Sequence, residues 1–201
     1  MLADATLAGA SEAGHAVELV CLADHVEGLI RDCRSCRRAD GDCSIDDGLR
    51  ELLTGRLLAA DAWVYATPLY WYGISSILKA FIDRLFCYTA KSYPHSDTVI
   101  AALMQKRSAA LISAEESEVG AYLPTLQHLQ ELSRYLHHDF VGAVIGVGNR
   151  RGEVEADANR PLDAAHELGM RLFDSRVTDY HLDTDRPSSV WSSWSGLRRS
   201  R

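Results

Sequence analysis

With 47% hydrophobic and 24% charged residues, a chain of 201 residues has the material for one α/β domain, and it is excluded as a disordered, collagen-like or disulfide-stapled chain. A formal charge of −7 argues against a broad nucleic-acid or anionic-membrane surface, and no apolar run approaches the roughly 18 residues of a membrane span. The start, Met1-Leu2-Ala3-Asp4-Ala5, has neither the basic nor the apolar part of a secretory signal, and five cysteines, an odd number, read as reduced thiols of a cytoplasmic protein.

In chain order, residues 1–13 read as a helix with a faint small-residue stripe, Leu2, Ala5, Gly9 and Ala13, and Gly14 as its stop. Residues 15–24 (HAVELVCLAD) form the first of four apolar, β-branched segments; the others are 61–70, 107–114 and 140–147. Their nearly continuous apolar character predicts strands buried on both faces. Between them, Asp46-Asp47 caps a helix carrying Leu49, Leu52, Leu53 and Leu57, with Gly55 as its weak point. Ser75-Ser76 opens a helix over 77–85, Leu123, Leu126, Leu129, Leu132 and Leu136 mark another over 123–136, and Pro161 opens the last over 162–173. Strand and helix in alternation imply parallel strands joined by right-handed crossovers, hence an open sheet with helices on both faces. Residues 1–182 are expected to form this domain and 183–201, rich in Ser and Arg, a flexible tail.

The segment Thr67-Pro68-Leu69-Tyr70-Trp71-Tyr72-Gly73-Ile74-Ser75-Ser76 is the most informative. A buried strand is stopped by Pro68, an aromatic loop with one glycine follows, and a helix begins after serine. Ligands of open α/β sheets bind at the carboxyl ends of the strands, and a loop there offering Tyr70, Trp71 and Tyr72 with backbone N–H groups suits a flat, polar-edged heteroaromatic ring. The competing reading is a helix-docking aromatic cluster.

The run from Thr67 to Arg84, TPLYWYGISSILKAFIDR, strongly resembles the TP-x-Y-x(4)-S-x-x-LK-x-F-x-DR signature of the flavodoxin-like NAD(P)H-dependent FMN reductases, which include quinone and azo-dye reductases. Ile45-Asp46-Asp47-Gly48 and Ala60-Asp61 resemble further landmarks of that family. The resemblance implies a flavodoxin-like, doubly wound, three-layer α/β/α fold binding FMN, with NAD(P)H as hydride donor and a quinone, nitro, azo or flavin acceptor. It implies flavin contacts, mostly through the main chain, at Pro68, Leu69, Tyr70, Trp71, Tyr72, Gly73 and Ile74, and at the next strand's end at Ser113, Ala114 and Glu115. It assigns structural roles to Lys79, Asp83 and Arg84, which fix the helix and a subunit contact, and it implies a homodimer. No catalytic side chain is needed, because the flavin carries the chemistry. A non-enzymatic electron carrier and a flavin-free interaction module are the alternatives.

The family's phosphate loop, between its first strand and first helix, is not found after Met1. The first strand is therefore expected to be missing, lying upstream or lost, and the strands at 16–22 and 63–66 to lack a ladder partner. Cys33, Cys36 and Cys43 fall where relatives carry cluster cysteines, but Ala39 stands at the third position, so no iron–sulfur cluster is expected. Zinc would need a fourth ligand such as His25 or Asp46. Arg31, Arg34, Arg37 and Arg38 would favour a redox-active thiolate pair, and a vestigial cysteine loop is the plainer reading. Gly146-Val147-Gly148-Asn149 lacks the third glycine of a nucleotide loop.

Overall fold

The computed structural model describes residues 1–31 and 36–174 of the chain. The expected tail at 183–201 and Cys33 lie outside the described residues. The chain divides into two compact units.

The first unit takes in Met1–Val20, Asp61–Ser75 and the described residues from Gln105 onward. Its sheet has three parallel strands in the order β1 (Ala62–Pro68), β2 (Arg107–Ala114) and β3 (Asp139–Val147). The apolar runs at 61–70, 107–114 and 140–147 are thus strands, shifted by two residues at most. β2 is central, and Ala109, Ala110, Leu111 and Ile112 are all sealed from solvent. Its alternate side chains serve two faces. Ala109 and Leu111 join Val141, Val144, Leu2, Ala165, Leu168 and Leu172 in one core, beneath helices α1 (Leu2–Glu12) and α6 (Pro161–Met170). On the opposite face the hydroxyl of Ser108 donates to that of Ser133 at 2.9 Å, on α5 (Val119–Tyr135). Helix, sheet, helix is the three-layer arrangement the pattern implied.

α1 ends as expected. Gly14 takes φ 88°, His15 N–H donates to Ala10 O and Gly14 N–H to Ser11 O, both at 3.0 Å, which is the paired closure of a Schellman stop. α1 lies unusually close to α6. A Cβ on Gly9 would run into the carbonyl oxygen of His166, and one on Gly169 into that of Thr6. Pro161 is the first residue of α6, as read, but the helix stops at Met170.

The expected strand at 15–24 does not form. Residues 15–21 carry no regular structure and Leu22–Asp24 make a single 3₁₀ turn. Among the described residues no strand pairs with this stretch, and none lies on the outer edge of β1. A strand is defined by its hydrogen-bonded neighbour, and apolar alternation cannot supply one. Val17 and Leu19 are left exposed, Leu19 by 60%.

The second unit, Cys21–Ala60 and Ser76–Met104, is helical. It holds α2 (Leu49–Gly55), α3 (Ser76–Thr89) and α4 (Ser96–Leu103), the last unforeseen in the sequence. α2 breaks at Gly55, so Leu57 falls in a separate 3₁₀ turn, Leu57–Ala59. Asp47 caps α2 through Leu49 N–H at 3.3 Å and also accepts the N–H groups of Glu27 and Gly28 at 3.0 and 3.1 Å. Both Asp47 oxygens meet the guanidinium of Arg84 on α3, one at 2.8 Å. Arg84 is therefore sealed from solvent within this unit. Lys79 and Asp83 pair at 2.5 Å on the exposed side of α3.

Candidate active site

All three strands run the same way, so their carboxyl ends share one rim: Pro68, Ala114 and Val147. Pro68 and Ser113 are register partners, which brings the aromatic loop beside the Ser113–Ala114–Glu115 turn. Leu69 N–H donates to Ser113 O at 2.8 Å, carrying the ladder one residue past the strand. Gly148 N–H likewise donates to Ala114 O at 2.8 Å.

Beyond Leu69 the chain reverses in a two-residue hairpin. Tyr70 and Gly73 exchange both backbone hydrogen bonds at 3.0 Å. The two residues at its tip, Trp71 and Tyr72, take φ 47° and 61°. Left-handed backbone at both central positions is the requirement of a type I′ turn, which Asn-Gly normally meets. Two aromatic residues there are strained, and strain of this kind concentrates at functional sites. The surroundings hold the turn in place. The Thr125 hydroxyl on α5 donates to Tyr72 O at 3.2 Å, and the Tyr72 hydroxyl donates to Glu116 Oε1 at 3.2 Å. At the loop's far end Ser75 N–H donates to Thr67 Oγ1 at 3.0 Å.

The aromatic rings point outward. Trp71 is 95% exposed, Tyr70 62% and Tyr72 54%, so the helix-docking reading of this cluster fails. Pro68, Leu69, Gly73 and Ile74 are half-buried beneath them. The N–H groups of Trp71, Tyr72 and Ile74 make no hydrogen bond among the described residues and stand available as donors. On the neighbouring turn Ala114 is buried, Ser113 half-buried and Glu115 exposed, and the Ser113 and Ala114 carbonyls are already engaged. Free amides beside unstacked aromatic faces are a donor set for the carbonyl and ring-nitrogen edge of a planar heterocycle.

The third loop of the rim is already filled from within. Glu153 Oε2 accepts the N–H groups of Asn149 and Arg150, both at 2.9 Å, and Asp157 Oδ2 accepts Val147 N–H at 2.8 Å. Hydrogen bonds from Asn159 and Val147 N–H hold the Asp157 carboxyl below its ordinary value. In the Gly146-Val147-Gly148-Asn149 run, the Val147 and Asn149 N–H groups are therefore bonded to the chain's own acids and the Gly148 N–H to Ala114 O. Thr67, Glu116 and Thr125 are the residues of this rim that the sequence reading passed over. Thr67 lay inside the recognised motif, whereas Thr125 sits 53 residues from Tyr72 and no spacing rule joins them.

The chain is similar to several known proteins. The putative NAD(P)H-dependent FMN-containing oxidoreductase YwqN of Bacillus subtilis is 29% identical over 116 residues, 58% of this chain and 62% of that protein. An iron–sulfur flavoprotein of Archaeoglobus fulgidus is 36% identical over 72 residues, 35% of this chain and 34% of that protein. The chain thus spans less than two thirds of the length of these relatives. Among solved structures, RosB with bound 8-demethyl-8-formylriboflavin-5'-phosphate superposes with a TM-score of 0.61 at 15% identity, covering 100% of this chain and 90% of RosB, and it shares the flavodoxin-like fold. The family model described as NADPH-dependent FMN reductase matches residues 1–149, and the chain belongs to that family.

Proposed function

We propose that the chain is an FMN-dependent NAD(P)H oxidoreductase whose flavin ring rests on the loop Pro68–Ile74 and against the Ser113–Ala114–Glu115 turn. One observation carries the reading: a strained, exposed aromatic hairpin is held at the carboxyl rim of the sheet by Leu69, Thr125 and Glu116, with unbonded amides beside it. FMN, when bound, supplies the ring that accepts and passes on hydride equivalents. The chain's own part is to bind and orient. The amides of Trp71, Tyr72 and Ile74 donate to the polar edge of the ring, and the faces of Tyr70 and Trp71 provide stacking surface. No side chain of the rim is asked to move a proton.

The acceptor class that suits an open, aromatic-walled rim is a flat electrophile: a quinone, a nitro or azo aromatic, or free flavin. The same reading makes the protein a cytoplasmic homodimer. The test is to add FMN to the purified chain and follow NADH and NADPH oxidation at 340 nm with and without a benzoquinone. Flavin-dependent turnover that falls in Trp71→Ala is the expected result. A flavin that binds yet cannot be reduced by either nucleotide would make the protein an electron carrier instead, and absence of any flavin binding would remove the reading.

A further inference from the structure

Three of the four cysteines among the described residues converge in the helical unit. Residues 36–44 form a short hairpin. Arg37 and Cys43 are antiparallel bridge partners, Ser44 N–H donates to Cys36 O at 2.6 Å, and Arg38 N–H to Asp42 O at 2.8 Å. The Arg37 guanidinium closes the tip by donating to Gly41 O at 2.9 Å. Cys36 and Cys43 thus sit on opposite arms of the hairpin, and both are buried. Cys87 arrives from α3, fully buried, and its Sγ lies 3.5 Å from Cys36 Sγ. Cys43 lies near enough to Cys87 to act on its thiol, helping to push it up.

Buried cysteines often act only as small apolar side chains, but such packing does not require sulfur to meet sulfur across 51 residues. A metal centre is the other use of gathered thiols. Among the described residues no set of three side chains has the arrangement to enclose a metal ion. Two thiols in contact, with a third beside them, are instead the arrangement of a dithiol.

We propose that Cys36 and Cys87 form a reversible dithiol–disulfide pair, which a small disulfide oxidant such as oxidised glutathione closes, clipping the 36–44 hairpin to α3. Cys36 loses its proton and attacks one sulfur of the oxidant, releasing one glutathione thiolate and leaving a mixed disulfide. Cys87 then loses its proton and attacks Cys36 Sγ, releasing the second. Two cysteine thiols are oxidised, one disulfide is reduced to two thiols, and the two cysteine protons end on the two glutathiones. Cys36 takes the first step because it sits on a loop and keeps a trace of exposure, whereas Cys87 is fully enclosed on a helix. Burial, with Cys43 and Cys36 alongside, pushes the Cys87 thiol up, which makes it the poorer nucleophile and leaves the first attack to Cys36; Cys87 follows only because the mixed disulfide is held against it. Closure to a bond of about 2.05 Å brings the sulfurs together by roughly 1.5 Å, a movement within reach of a surface hairpin.

The sequence makes the test direct. Cleavage after Arg34, Arg37, Arg38, Arg50, Arg84 and Lys91 puts Cys36, Cys43 and Cys87 on separate peptides, 35–37, 39–50 and 85–91. The reduced full-length chain is equilibrated with mixtures of oxidised and reduced glutathione, its free thiols are blocked with N-ethylmaleimide, and the unreduced tryptic peptides are analysed by mass spectrometry. The expected result is a 35–37/85–91 cross-link as the dominant intramolecular product, reversed by dithiothreitol, retained in Cys43→Ser and lost in Cys36→Ser. The proposal is overturned if that cross-link is absent, if links to Cys21 are equally abundant, or if the purified chain carries stoichiometric metal that shields these thiols. The wild-type peptide map decides the matter even where a variant fails to fold.

Discussion

Trp71 and Tyr72 carry a conformation that their side chains disfavour, each by on the order of 1 kcal/mol. Glycine adopts it freely. Trp71→Gly is therefore expected to raise stability by about 0.5–1 kcal/mol in urea unfolding, and to weaken FMN binding about tenfold in a fluorescence titration through loss of the stacking face. Unchanged flavin affinity would separate the strained turn from the proposed site. Asp47 is the second decisive residue. Burial raises its pKa, but hydrogen bonds from Arg84, Gly28 and Glu27 and the Arg84 charge outweigh that, bringing the carboxyl down from 3.8 to about 2. Its contribution to stability is then complete above pH 4 and is lost as pH falls through about 2. Asp47→Asn strands the Arg84 charge in the interior and is expected to cost about 3–5 kcal/mol near neutral pH, while flattening the acid limb of the unfolding profile. Circular dichroism melts of both proteins between pH 2 and 7 check this. Asp47 and Arg84 are 37 residues apart. Their residue types were legible in the sequence, but the ion pair was not, because nothing local links a turn carboxylate to a helix guanidinium.

Among the elements, β1, β2, β3, α1 and α6 were legible because period, cap and stop signals agreed: Pro68 closes β1, Gly14 closes α1 and Pro161 opens α6. α5 was legible only in part. Its leucine stripe revealed the span from Leu123, but Glu118, which caps it, lies five residues earlier, where no leucine continues the stripe. The strand expected at 15–24 had the right composition and failed for want of a neighbour, which is a property of the sheet and not of the segment. The α1–α6 contact rests on absent side chains. Gly9 was visible as part of a stripe, but its match with Gly169 depends on a helix crossing that no sequence period encodes. Gly169→Ala sets a methyl against Thr6 O, and thermal denaturation is expected to report a loss of about 1–3 kcal/mol. An unaltered melt would mean the two helices separate at little expense.

For the whole molecule, family membership and the location of the aromatic rim were both legible, since one motif carries sequence, fold and site together. The partners that lock the rim were not. The same resemblance led to the expectation that the strand at 63–66 would lack a ladder partner, and β1 is an edge strand of the described sheet. Among the described residues β1 has no strand on its outer edge, and Val17 and Leu19 are exposed. Such a flank is a template on which an extended peptide can add, and the nearest abundant source in a concentrated sample is another molecule of the same kind. Storage at high concentration should then produce slow, thioflavin-positive turbidity, and a lysine in place of the exposed Leu19 should delay it by lowering exposed apolar surface. Practical handling of this protein, more than its chemistry, will be governed by that unguarded margin.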